Sequence, residues 1–106
     1  MIDGCTPAQG SFNEGECYED TKNRTLPYYA GKYNDNQLSR CNVACKGFKY
    51  AGMENTKECW CGDIPPAETL QRTEECPEIC PGNPDENCGG EWRMNVFEVT
   101  GNLIFL

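Results

Sequence analysis

The sequence predicts an α+β fold: a small disulfide-rich domain with an antiparallel β-sheet and one main α-helix cross-linked to a hairpin. Three observations predict it. Nine cysteines occur in 106 residues, a density at which a short chain reads as a stapled extracellular scaffold. The segment from Asn34 to Gly47 has helical spacing. The runs flanking it alternate with period two and are bounded by turn residues.

Composition limits the function classes. A hydrophobic fraction of 38% gives one domain with a modest core, so cross-links have to supply much of the stability. In the chain-entropy model each loop closed here contributes about 2.5–4.5 kcal/mol before native strain is subtracted. Nine basic against seventeen acidic residues leave a net charge of −8. Such a surface repels phosphate backbones and anionic headgroups, so nucleic acid is excluded as a partner. No stretch approaches the ~20 apolar residues of a membrane span, and none is expected to insert. Met1-Ile2-Asp3 has neither the basic nor the apolar part of a leader. For a disulfide-bonded chain the expectation is a leader already removed or never included. Asn23-Arg24-Thr25 is an N-glycosylation sequon at Asn23 and agrees with a secreted or cell-surface protein.

Taken in order, residues 1–14 are Gly-rich and polar and read as an N-terminal extension carrying Cys5. Gly15 to Asp20 forms a short strand around Cys17-Tyr18. Residues 21–33 read as a loop with Pro27, Gly31 and the tyrosines Tyr28, Tyr29 and Tyr33. The helix begins at Asn34, which with Gln37 makes a capping box. Leu38, Cys41, Ala44 and Cys45 share one face, and Gly47 stops the helix. Phe48 to Glu54 is a strand, Asn55-Thr56 its turn, and Lys57 to Gly62 the returning strand. On that strand Cys59 and Cys61 point to one face and Trp60 to the other. The two cysteine pairs can be joined face to face, sewing the helix across the hairpin. Residues 63–75 form an acidic, Pro-containing loop, and Cys80 to Gly90 closes a turn-rich ring. Trp92 to Val99 is the last strand. The core receives Phe48, Tyr50, Val96 and Phe97. The domain is expected to span 15–98, followed by an apolar tail over 99–106 ending in Leu103-Ile104-Phe105-Leu106.

Cys17-Tyr18-x-Asp20, Cys41-x-x-x-Cys45, Tyr50-Ala51-Gly52-Met53-Glu54, Glu58-Cys59-Trp60-Cys61-Gly62, Cys80-Pro81-Gly82-Asn83 and Cys88-Gly89-Gly90-x-x-Arg93 resemble the WSC domain, in order and with all eight cysteines. The resemblance implies a PAN/apple-like fold and the pairs Cys17–Cys76, Cys41–Cys59, Cys45–Cys61 and Cys80–Cys88. Eight cysteines alone allow 105 connectivities; the face-to-face argument independently favours the middle two pairs. Members of the family are regarded as carbohydrate-binding or adhesive modules. Cys5 lies outside the pattern, unpaired or bonded to another chain.

Metal, cofactor and catalytic readings fail on residue chemistry. The close cysteine spacings are x3 and x1, without histidine, whereas structural zinc favours C-x2-C. Without histidine no serine or cysteine triad is available. Glu54 and Glu58 face each other across a hairpin turn, not a cleft, and Glu54 is expected to pair with Arg93. Asn34-Asp35-Asn36 and Asp85-Glu86-Asn87 are ordinary turn compositions. The chain therefore reads as a non-catalytic module for a neutral glycan or polysaccharide. Its candidate carbohydrate-binding residues are Trp60, Tyr28, Tyr29, Tyr33 and Trp92, since flat rings suit the apolar faces of sugars. Trp60 either packs on the second side of the sheet or stands in the surface. The tyrosines either cover the sheet or are exposed, and Trp92 is expected to be largely buried. The alternative is a structural subunit of an extracellular assembly, contacting other chains through Cys5 or residues 99–106.

Overall fold

The computed structural model describes residues 15–101. One antiparallel sheet contains β1 (Glu16–Glu19), β2 (Tyr28–Lys32), β3 (Tyr50–Glu54), β4 (Glu58–Gly62) and β7 (Arg93–Glu98), in the order β1-β7-β3-β4-β2. A separate pair, β5 (Ile79–Cys80) and β6 (Asn83–Asn87), forms a second small sheet. Helix α1 (Leu38–Ala44) crosses one face of the main sheet, and a single 3-10 turn covers Glu68–Leu70. The expected Cys5 and Leu103–Leu106 contacts lie outside the described residues.

The disulfides attach the helix. Cys41 bonds Cys59 and Cys45 bonds Cys61, while Cys17 bonds Cys76 and Cys80 bonds Cys88. The sulfurs of Cys41, Cys45 and Cys59 lie within 4.8 Å of one another, but each belongs to a disulfide and offers no thiolate to a metal. Leu38, Ala51, Met53 and Phe97 complete the core on this face. The opposite face has a smaller core of Leu26, Met94 and Val96. Leu26 fits there because Gly52 and Gly62 carry no side chain: a Cβ on Gly52 would strike the Met94 sulfur, and one on Gly62 would come within 3.0 Å of Leu26. Phe48 and Tyr50 are only partly buried and pack at the edges of the two cores.

Three expected boundaries move. The segment read as a loop over 21–33 contains strand β2, which pairs Tyr28 with Cys61, Tyr29 with Trp60 and Gly31 with Cys59. Its pattern is masked by a register shift between Tyr29 and Gly31, an irregularity of the kind a bulge produces. The helix starts at Leu38, not Asn34, and no side chain of Gln37 caps it. Asn36 is fully buried and its amide is used elsewhere, donating to the carbonyls of Thr56 at 3.1 Å and Glu58 at 3.3 Å. The helix N-terminus is instead capped across the fold, the Leu38 N–H donating to Glu86 Oε1 at 2.8 Å. Finally β7 starts at Arg93, because Trp92 has a positive φ of 56° and belongs to the turn.

Candidate functional site

Local backbone chemistry builds the site from the loop between β1 and β2. Asp20 directly follows β1 with its side chain buried, where it accepts N–H groups from Thr21 at 2.9 Å and Thr25 at 2.8 Å. The Thr25 hydroxyl donates to the Glu19 carbonyl at 2.8 Å. These bonds wind residues 20–25 into a tight loop with Arg24 at a φ of 63°. Asp20 N–H donates to the Trp92 carbonyl at 2.9 Å, so the loop and the turn before β7 are held side by side. Arg24 then reaches back to Asp20, Nη1 to Oδ2 at 2.6 Å.

That ion pair places the guanidinium between two indoles. Its carbon lies 4.5 Å from the Trp60 ring centre and 4.9 Å from that of Trp92, within the range of cation–π attraction. The ring centre of Tyr29 lies 4.9 Å from that of Trp60. The result is a row running Tyr29, Trp60, Arg24, Trp92 on the face opposite the helix. Trp60 is half-buried against the Leu26 core and its Nε1–H donates to Glu58 at 3.0 Å. Tyr29 is 51% exposed and Trp92 43%, so both ends of the row meet solvent. An open hollow of about 500 Å³ lies beside Trp92, lined by Glu19, Asp20, Thr21 and Lys22.

Beneath the row lies a carboxyl pair. Asp20 and Glu54 hydrogen-bond to each other. Burial, then the bond to Asp20 and the charges of Asp20 and Glu58, push the Glu54 acid up to about 9 against weaker opposition from Arg24. Burial works against the Asp20 carboxylate too, but the bonds from Glu54, the Thr25 N–H and Arg24 together hold it below its ordinary value. Asp20 is thus the charged partner of Arg24, and Glu54 the proton donor that stabilises it.

The five candidate aromatics divide between the two faces. Trp60, Tyr29 and Trp92 share the row. Tyr28 is exposed, but it lies on the helix side with its ring 5.0 Å from Phe48. Tyr33 packs on the helix-side core under the Arg40 guanidinium, 4.3 Å away. Two expectations are corrected. Trp92 is exposed because its turn conformation directs it over the loop and not into the sheet. Glu54 does not pair with Arg93, which binds Glu75 at 2.7 Å; Glu54 turns to Asp20. Reading by residue type passed over Arg24 and Asp20. The available signal was their i, i+4 spacing next to the Tyr18-x-Asp20 motif.

A family model described as the WSC domain matches residues 15–90. Among relatives, the Drosophila melanogaster protein "Xylosyltransferase oxt" is 37% identical over 87 residues, covering 77% of this chain and 10% of that protein. A "WSC domain-containing protein" of Arthroderma benhamiae is 30% identical over 94 residues, 87% of this chain and 13% of its own length. The Saccharomyces cerevisiae protein "Cell wall integrity and stress response component 2" is 31% identical over 90 residues, 81% of this chain and 18% of that protein. The chain thus spans between a tenth and a fifth of the length of these relatives. No helix among the described residues is long and apolar enough to cross a membrane. Because the family model covers most of the described residues and all eight disulfide-bonded cysteines, this chain belongs to the WSC domain family.

Proposed function

We propose that the chain is an extracellular, non-catalytic carbohydrate-binding module whose platform is the row Tyr29, Trp60, Arg24 and Trp92. One observation carries the reading: two exposed rings flank a half-buried indole on a single face, locked in place by an arginine clamped between indoles. A rigid row loses little conformational freedom when a sugar stacks on it. The preorganisation comes from Asp20 and Glu54, which fix Arg24 from below. Polar groups at the edges, Glu58 and Lys22, suit hydroxyls around a pyranose ring.

Neutral polysaccharide fits this platform best, since the cation within the row, Arg24, is already neutralised by Asp20. Four disulfides support an oxidising compartment, and the proposed setting is secreted or cell-surface. The test is a titration of the folded chain with soluble β-glucan, xylan and mannan oligosaccharides, followed by amide chemical shifts. Shifts gathered at Tyr29, Trp60 and Trp92, and little changed between low and high salt, are expected. Absence of binding to every neutral glycan would count against the reading.

A further inference from the structure

We propose that a second surface, the groove floored by Tyr18 and Tyr50, docks a basic segment of a protein, which lays one lysine or arginine side chain into it. The cavity of about 210 Å³ is lined by Tyr18, Tyr50, Val96 and the Pro65-Pro66 wall, with Glu16, Glu68 and Glu98 at its margin. It shares no residue with the aromatic row and does not rest on the glycan reading.

Charge complementarity identifies the occupant. None of the three margin carboxylates is in an ion pair among the described residues, where the salt bridges use Asp20, Asp35, Glu19 and Glu75. Glu16 accepts only neutral donors, the Tyr18 hydroxyl at 3.2 Å and the Gln71 amide at 3.4 Å. Burial and then the neighbouring Glu16 and Glu68 push the Tyr18 hydroxyl up, keeping that ring neutral in a negative field. Tyrosine faces attract a cation, and an apolar floor suits the methylene stem of lysine or arginine while carboxylates meet its head. The volume takes one such side chain; Glu68 and Glu98, exposed at the rim, meet basic neighbours in the same segment.

The experiment titrates the 106-residue chain with acetylated hexalysine amide, hexaglutamine amide and a glucosamine hexamer, following amide shifts. Hexalysine alone is expected to bind, with shifts centred on Tyr18, Tyr50, Val96 and Glu98 and an affinity that falls with salt. Glu68→Lys with Glu98→Lys should weaken it about tenfold, while Asp85→Lys with Glu91→Lys, which changes net charge equally, should alter it less than about twofold. Equal losses in the two double variants would reduce the effect to overall charge and overturn the proposal. So would shifts spread over the acidic surface, no binding, or groove shifts produced by the glucosamine hexamer in place of hexalysine.

Discussion

Arg24 lies between Trp60 and Trp92 because Asp20 holds it there, and Asp20 is charged because Glu54 is not. Asp20 and Glu54 are 2% and 4% exposed, and two ionised carboxylates in contact at such burial would repel at high cost. The proton on Glu54 is therefore a structural component of the surface above it. The platform and the stability of the fold are linked through this one pair.

Stability should rise as pH falls from 9 toward 4.5. Glu54 ionises near 4.5 when unfolded and near 9 when folded. Its contribution is full below the unfolded value and lost as pH rises through the folded one, with a slope of about 1.4 kcal/mol per pH unit in between. Asp20 acts oppositely: its folded value is depressed, so its contribution is present above the ordinary carboxylate range and lost as pH falls through the folded value. Urea denaturation with disulfides intact should show maximum stability near pH 4–5. Glu54→Gln keeps a donor for Asp20 and removes the titration, so its midpoint should exceed wild type at pH 8 and vary less with pH. Parallel curves for the two proteins would refute the shared proton.

Substitutions along the row should separate binding from folding. Trp92→Ala and Tyr29→Ala remove exposed rings and should each weaken neutral-glycan binding by about 1 kcal/mol, with unchanged amide dispersion. Tyr28→Ala, equally exposed but on the helix side, should leave affinity as it is. Arg24→Ala frees both indoles and leaves Asp20 without its ion partner, so it should cost stability as well as affinity. Equal effects from Tyr28→Ala and Tyr29→Ala would place the ligand elsewhere.

The disulfides should contribute unequally. Cys17–Cys76 closes a sequence separation of 59 residues and Cys80–Cys88 one of 8. Loop entropy then predicts losses of about 4 kcal/mol for the first pair and about 2.5 for the second on double replacement by serine. Equilibrium denaturation of the two variants checks the order; a larger loss at Cys80–Cys88 would show that the bond supports the helix cap more than it restrains the unfolded chain.

Much of this fold was legible because period and turn chemistry agree. Asn55 and Thr56 both adopt positive φ in the expected hairpin turn, and the alternation at Cys59, Trp60 and Cys61 does put Trp60 opposite the helix. What escaped depends on long-range partners. Strand β2 exists through its pairing with β4 and carries an irregularity and a glycine that hide its period. The helix start shifts because Asn36 binds the hairpin and Glu86 caps from 48 residues away. Charge complementarity alone could not assign Glu54 to another acid, since that pairing needs a retained proton. For the site, three of the five chosen aromatics converge, while the residue that organises them, Arg24, carries no aromatic signal.

Asn23 supplies the last prediction. It is exposed in the turn directly before Arg24, and its sequon threonine is fixed through the Glu19 carbonyl and Asp20. A glycan linked to Asn23 would leave the fold intact, because that side chain is turned to solvent, and it would hang beside the Trp92 end of the platform. Chain produced in a glycosylating eukaryotic host should therefore lose mass on treatment with an amidase specific for N-glycans, while Asn23→Gln does not. The glycosylated chain should bind soluble neutral oligosaccharides more weakly than the Asn23→Gln chain, by several-fold on the order expected when a tethered competitor occupies part of the surface. Hexalysine binding at the Tyr18 groove, whose lining does not include the sequon residues, should be equal for both. An unoccupied site would remove this control, and an occupied site with unaltered oligosaccharide affinity would show that the sugar ligand does not approach Trp92.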